Sequence, residues 1–355
     1  MAVAFGKAAL TTHDVHQGVA LVSAAPRPAP HLVILHGDTL PPGHERIDAD
    51  PRLASVRYAT ADRLAEALPG AQALFVWDLF STAVAAAWPK ADALRWVHAA
   101  TAGVDNLMFP ALVDSDVVVT NSRGVFDRPM AEYVLGLVLS FAKDFPGSHD
   151  LQRDRVWRHR ETEPIAGRRA LVIGTGPIGR AIAAQLAAAG MTVEAAGRTA
   201  RTDPDLGDVV EASLDSTGPD LGDALPRADY VVVAAPLTDQ TRGLISTRAL
   251  SLMKPTARLI NVARGSIVDE DALVRALRDG AVAGAALDVF ETEPLPESSP
   301  LWDLPGVIIS PHMSGDIVGW RSELVRLFTD NLDRFLNGED PRNIVDKRRG
   351  YVSGP

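Results

Sequence analysis

"RRALVIGTGPIGRAIAAQLAAAG" (residues 168–190) holds the strongest structural signal in this chain. An apolar run of the buried-strand type breaks at Gly174-x-Gly176-x-x-Gly179 and passes into an Ala-rich segment with helical spacing. A bare G-x-G-x-x-G says little, but one set between a strand and a helix is a dinucleotide fingerprint. The first glycine makes the tight turn and the second lets the backbone approach a pyrophosphate. The third lets helix and strand pack closely, while the helix N-terminus faces the phosphate charge.

The next strand outward, "TVEAA" (192–196), is where such units end in an acid that accepts from the ribose hydroxyls. "GRTAR" (197–201) follows instead. A carboxylate there would repel a 2′-phosphate, whereas Gly197 leaves room and Arg198, Thr199 and Arg201 offer cationic and hydroxyl donors. Guanidinium suits phosphate by charge and by fork geometry. Glu194 is no substitute, because it lies on the strand itself. The expected cofactor is therefore NADP(H), with NAD(H) the alternative if the arginines belong only to a solvated loop.

Beyond this unit, short apolar runs alternate with longer helical patterns. Strands are expected at 32–35, 72–76, 96–98, 117–119, 170–173, 192–196, 230–234, 258–262, 284–287 and 307–310. Most are spaced for crossover helices, which is the pattern of doubly wound parallel α/β sheets. Ten strands are too many for one small sheet, so two are expected. The segment 129–145, "PMAEYVLGLVLSFAKDF", is apolar nearly all round, as a helix buried between domains or subunits would be. After residue 316, Trp320, Leu324, Phe328, Leu332 and Phe335 recur at helical spacing, and Asn337 and Gly338 supply the stop.

Composition bounds the function. The chain has 355 residues, 46% of them apolar and 23% charged, which describes a globular protein of two ordinary domains. Its net charge of −10 argues against a general nucleic-acid binder. No apolar run approaches the roughly 18 residues of a membrane span, and "MAVAFGKAAL" does not read as a secretory signal. Cysteine is absent, excluding disulfides, thiolate metal sites and thiol nucleophiles, and a cytoplasmic address fits. Residues 1–30, ending in "APRPAP", read as an extension or linker. His13 and His16 there have no third ligand nearby, so no metal site is expected.

In open α/β sheets ligands bind beyond the carboxyl ends of the strands. Those ends carry Arg264 in "ARGS", Asp288 and Glu293 in "DVFETEP", and His312 in "PHMSGD". This set suits hydride transfer to a 2-oxo acid. A cation must hold the substrate carboxylate and polarise its carbonyl, which a bidentate Arg264 can do. A donor must protonate the forming alkoxide, and imidazole, titrating near neutrality, makes His312 the natural candidate. A carboxylate beside it would stabilise the imidazolium, a role open to Glu293.

Together these motifs resemble the D-2-hydroxyacid dehydrogenase family. The resemblance runs through "HAATAGVDNL" (98–107), "MAEYVLGLVLS" (130–140), "GTGPIG" (174–179), "APLTDQTRGLI" (235–245), "NVARGSIVDEDAL" (261–273), "ALDVFETEPLP" (286–296) and "SPHMSG" (310–315). It implies that Arg264, Glu293 and His312 are the catalytic set and that Asp288 contacts the nicotinamide amide. It implies a dinucleotide lined by Gly174, Thr175, Gly176, Pro177, Ile178 and Gly179, by Ala235, Pro236 and Thr241, and by Val262, Ala263, Ser314 and Gly315. Backbone amides around Ala102, Gly103 and Val104 would hold the substrate carboxylate. The implied architecture is two Rossmann-like, doubly wound domains. One is a discontinuous, flavodoxin-like substrate domain (31–125 and 316–347), and the other is a dinucleotide-binding domain (126–315). Members are usually homodimers, which would account for the all-round apolar helix.

Within the family, "GRT" in place of an acid resembles the NADPH-preferring glyoxylate and hydroxypyruvate reductases, and so does Trp77, placed to face the cleft. Glu293 as the partner of His312 argues against a formate dehydrogenase. "FDRPM" (126–130) is bulky at the domain crossing, and Trp320 is placed to narrow the pocket. Two other readings remain: an NAD(H)-dependent dehydrogenase of a bulkier D-2-hydroxy acid, and a dinucleotide-sensing, corepressor-like binding protein.

Overall fold

The computed structural model describes residues 28–214 and 218–352. Strands β1 (His31–Leu35), β2 (Ser55–Ala59), β3 (Ala73–Val76), β4 (Trp96–Ala99) and β5 (Val118–Thr120) form a parallel sheet in the order β2-β1-β3-β4-β5. β1, β3 and β4 are largely apolar because both faces of this sheet are covered, the exceptions being His31 at the start of β1 and the buried His98 in β4. On one face, Leu64, Leu68, Val84 and Leu112 pack against Val33, Leu74 and Val97. On the other lies the C-terminal helix Trp320–Asn337, whose Leu324, Phe328 and Leu332 meet Leu32, Ile34 and Trp96. Phe328 stacks flat on Phe75, with ring centroids 3.8 Å apart. The helix stops at Gly338, which adopts φ 75° and closes the last turn, as the sequence expectation required.

The second sheet comprises β6 (Arg169–Ile173), β7 (Thr192–Gly197), β8 (Arg201–Asp203), β9 (Gly207–Glu211), β10 (Tyr230–Val233), β11 (Arg258–Asn261), β12 (Gly284–Leu287) and β13 (Val307–Ile309). Its order is β13-β12-β11-β10-β6-β7-β9-β8, parallel except for the β8–β9 pair. The strand order reverses between β6 and β10, so the crevice beyond their carboxyl ends is the topological switch point where such sheets bind ligands. Helix Asp127–Ala142 seals one face, its Met130, Val134 and Val138 meeting Ile182 and Leu186 of helix Pro177–Ala188.

Among the described residues, thirteen strands stand where ten were expected. β2 carries Arg57 and is only partly buried along most of its length, so it lacks a continuous apolar run at the sheet edge. β8 and β9 form a polar hairpin whose residues alternate too weakly to signal strands. The helix expected at 129–145 starts earlier and ends at Ala142. Asp144, at φ 48°, breaks it and caps a separate helix, Phe145–Arg153, by accepting from the Gly147 amide. His13, His16 and almost all of the N-terminal extension lie outside the described residues. Among the described residues, no helix is long and apolar enough to cross a membrane, and no cluster of His, Asp and Glu has metal-ligand geometry.

Candidate active site

The glycine turn after β6 has the stereochemistry its sequence demands. Gly174 adopts φ 122°, and a Cβ there would lie 2.6 Å from the Ala234 carbonyl. A Cβ on Gly179 would lie 1.9 Å from the Gly174 oxygen, so helix and turn meet only because both residues lack side chains. Gly176 differs: nothing lies within 4 Å of its missing Cβ. Gly176 is also the N-cap of helix Pro177–Ala188 and offers no capping side chain to the first amides. Open space in front of an uncapped helix N-terminus, at the switch point, fits a pyrophosphate.

Beside this turn lie the ends of the neighbouring strands. Thr175 accepts from Arg201 Nη2 at 3.1 Å, tying the turn to the loop after β7. Ile178 is packed against the core beneath. Ala235, Val262 and Ala263 are buried where β10 and β11 end, and the Pro236 carbonyl accepts from the Thr241 hydroxyl at 2.7 Å. Ser314 is buried, and Gly315 lies under Phe126, where a Cβ would come within 2.7 Å of the ring.

The three polar residues after β7 stand in different environments. A Cβ on Gly197 would touch Thr175 and approach Arg201 Nη1 at 3.2 Å, so the acid usual at this strand end is replaced by a guanidinium. Arg201 is partly neutralised by Asp203, at 3.1 Å. Asp203 is buried and also clamped by Arg180 at 2.5 Å, which, with the Asp205 amide and Arg201, holds its carboxyl far below the usual range against the cost of burial. Thr199 is exposed. Arg198 pairs with no carboxylate among the described residues, and its contacts are with the Tyr351 hydroxyl and ring.

Across the crevice Arg264 meets the first sheet. Its Nε and Nη2 each lie 3.0 Å from Asp105 Oδ1, and Nη1 donates to the Ala263 carbonyl. A Cβ on Gly103 would lie 2.0 Å from Nη2, so the guanidinium rests on the Gly103 backbone. That loop is held through its carbonyls. Those of Thr101, Ala102, Gly103 and Val104 accept from the Ser122 amide, the Asn121 side chain, the Thr101 hydroxyl and the Leu107 amide. Among the described residues, the amides of Ala102, Gly103 and Val104 make no hydrogen bond of their own. Gly265 lets the Arg264 loop close on Phe290, whose carbonyl carbon would lie 1.8 Å from a Cβ.

His312 Nδ1 lies 2.7 Å from Glu293 Oε2. Glu293 is half-buried, which raises its pKa. The bonds from His312 and the Phe290 amide and the charges of His312 and Arg264 outweigh this, and the carboxyl titrates below its ordinary value. With Nδ1 on a carboxylate, Nε2 is the nitrogen free to face the crevice. Asp288 is buried and directed inward. It accepts from the Ser310 hydroxyl at 2.6 Å and from the Met313 and Ser314 amides at 2.9 Å, so it holds the loop that carries His312.

The structure therefore brings Arg264, Glu293 and His312 to one crevice with the glycine turn. Trp77 and Trp320 are placed differently from Arg264: Trp77 is buried under the C-terminal helix, its indole N–H donating to the Thr39 carbonyl, and Trp320, the first residue of that helix, is buried in the same core beside Phe126. Phe80 is the aromatic that reaches the imidazole, with ring centroids 5.1 Å apart in an edge-to-face arrangement. Sequence reasoning missed Phe80, Asp105 and Tyr351. Asp105 stood inside the quoted "TAGVD" loop, but Phe80 and Tyr351 lie in loops without periodicity or motif.

A family model for the NAD-binding domain of D-isomer specific 2-hydroxyacid dehydrogenases matches residues 135–314. A glyoxylate reductase of Thermococcus gammatolerans is 34% identical over 275 residues, which is 75% of this chain and 80% of that one. Among solved structures, a D-isomer specific 2-hydroxyacid dehydrogenase from Xanthobacter autotrophicus Py2, in complex with NADPH and MES, superposes with a TM-score of 0.75 at 33% identity. That match covers 91% of this chain and 100% of the other. An NADPH-dependent glyoxylate/hydroxypyruvate reductase from Sinorhizobium meliloti, bound to NADP and sulfate, gives 0.76 at 26% identity with the same coverage. With its crevice, its glycine turn and these relatives in agreement, the chain belongs to the D-isomer-specific 2-hydroxyacid dehydrogenase family and is an NAD(P)-dependent oxidoreductase of 2-hydroxy acids.

Proposed function

We propose that this enzyme reduces a small 2-oxo acid of the glyoxylate or hydroxypyruvate class with NADPH. The observation that carries this reading is the His312–Glu293 pair, which shares one crevice with Arg264 and the glycine turn. When bound, the dinucleotide would be held at the glycine turn and the N-terminus of helix Pro177–Ala188 and would supply the hydride for the carbonyl carbon. Arg264 and the amides of Ala102, Gly103 and Val104 hold the substrate carboxylate, and Asp105 fixes the plane of the guanidinium. His312 Nε2 donates its proton to the carbonyl oxygen as it gains charge. Glu293, ionised across the neutral range, holds Nδ1–H and stabilises the imidazolium. Asp288 sets the His312 loop through three accepted bonds, and the remaining lone-pair site on its Oδ2 is the one that would accept from the nicotinamide amide. Phe80 crowds the imidazole and favours short acids.

The substrate domain in this reading comprises 31–125 and 316–347, and the dinucleotide domain 126–315. The working protein is a cytoplasmic homodimer. Helix Asp127–Ala142, Phe145, Met313 and Ile317 border one concave apolar face. Trp157 and Val318 are fully exposed in one copy, and a second copy of this chain is the occupant such a surface suits.

Steady-state oxidation of NADPH and NADH with glyoxylate, hydroxypyruvate, pyruvate and phenylpyruvate tests the proposal. NADPH and the two smallest polar acids are expected to lead. His312→Ala is expected to lower kcat by about 10²- to 10⁴-fold while NADPH still binds. A preference for NADH overturns the cofactor reading, and biological activity that survives His312→Ala favours a sensing role over catalysis.

A further inference from the structure

We propose that Tyr351 completes the 2′-phosphate subsite, making the C-terminal segment of the chain a determinant of cofactor choice. The inference rests on NADP(H) being the cofactor, and concerns a residue far in sequence from both the glycine turn and the loop after β7.

The segment is built as an arm of the first domain. Ile344 bridges to Thr120 of β5, the Val345 amide donates to the Val119 carbonyl, and the Val345 side chain is buried. Lys347 Nζ donates to the carbonyls of Leu112, Ser115 and Val117. From this root the chain turns back. The Gly350 amide donates to the Asp346 carbonyl at 2.8 Å and the Asp346 amide to the Tyr351 carbonyl at 3.0 Å, with Gly350 at φ 74°. The turn delivers Tyr351 across the crevice to Arg198 of the second domain. The Arg198 guanidinium lies 5.8 Å from the ring centroid and donates to the phenolic oxygen.

Charge decides what this contact is for. Arg201 is compensated by Asp203, which Arg180 shares, whereas among the described residues no carboxylate neutralises Arg198. A neutral hydroxyl orients Arg198 without cancelling its charge. A 2′-phosphate arriving beside Gly197 would meet a free guanidinium and a phenolic O–H able to donate to a phosphate oxygen. A ribose hydroxyl has no such need of them. Tyr351 thereby acts on NADP(H) and not on NAD(H), and its contact forms only while the arm's domain is docked.

Calorimetric titration of the full-length protein with NADPH, NADH, 2′,5′-ADP and 5′-ADP tests this. Tyr351→Phe is expected to weaken NADPH and 2′,5′-ADP by about 3- to 10-fold and to leave NADH and 5′-ADP within about twofold. Gly350→Ala, which strains the turn, is expected to reproduce that selective loss. In an Arg198→Gln background, Tyr351→Phe should add nothing. Equal weakening of NADPH and NADH, or no change in either, overturns the proposal. A wild-type protein that binds NADH more tightly than NADPH overturns the cofactor reading itself, and Tyr351's role with it. That failure is visible before any variant is made.

Discussion

His312 sits at φ 52°, a left-handed conformation uncommon outside glycine but tolerated by histidine more than by branched residues. Its backbone is held there by its own amide, which donates to the Asp288 carbonyl at 2.8 Å, while the Asp288 carboxylate fixes the next two amides. The imidazole is thus aimed by a buried carboxylate and paired with a half-buried one. Because the Glu293 pKa is depressed on folding, its contribution to stability is present above the ordinary carboxylate range and is lost as pH falls through the depressed value. At neutral pH the charge beside His312 is complete. Glu293→Gln keeps the shape and removes that charge, so the alkaline limb of 2-oxo acid reduction is expected to move to lower pH. The kcat/KM measured from pH 5 to 9 should fall on the order of tenfold more at pH 8 than at pH 6. A profile displaced equally at all pH values would mean that Glu293 only positions the ring.

At the scale of the element, the strand–turn–helix unit of β6 separates two jobs that glycine can do. Gly179 exists for packing, since its missing Cβ would strike the Gly174 carbonyl. Gly176 has an ordinary φ of −75° and open space, so the protein itself does not require a glycine there. The ligand does. Gly176→Ala is expected to leave the melting temperature unchanged and raise the Kd for NADPH by more than about tenfold, because a methyl group would stand where the pyrophosphate approaches. Gly179→Ala is expected to cost roughly 1–3 kcal/mol or more of stability through overpacking. Thermal unfolding beside cofactor titration separates the two. The hairpin of β8 and β9 shows the opposite limit of local reading. Its strands exist because β7 offers an edge to pair with, not because "RTDPDLGDVVE" carries a strand pattern.

Across the whole molecule, contacts between the two domains border the crevice: Arg264 with Asp105, Phe80 with His312, and Arg198 with Tyr351. These contacts therefore hold the substrate clamp, the proton donor's surroundings and the rim of the cofactor site together. The outer surface of the second domain carries the fully exposed Trp157, which the proposed dimer would cover. Light scattering is expected to give twice the 37.8 kDa of one chain. Trp157→Ala is expected to weaken the dimer by roughly 2 kcal/mol, read as a rise in its dissociation constant. A monomeric wild type would remove the dimer from the proposed function.

By itself the sequence determined what depends on local stereochemistry and on strand order. The glycine turn, the run of parallel strands, the C-terminal helix with its Gly338 stop, and Arg264, Glu293 and His312 at strand ends were all legible, because each is encoded in spacing along the chain. Only the tertiary structure decided what depends on parts of the chain that are distant in sequence. Asp105 is a partner for Arg264 because β4 and β11 end at opposite walls of one crevice. Trp77, whose sequence position suggested a cleft wall, is drawn into the core because the C-terminal helix covers its side of the sheet, and Phe80 takes the place beside His312. Tyr351 reaches Arg198 because Lys347 and Val345 root the arm on the far domain. No pattern in the sequence reports a contact made between residues 153 positions apart.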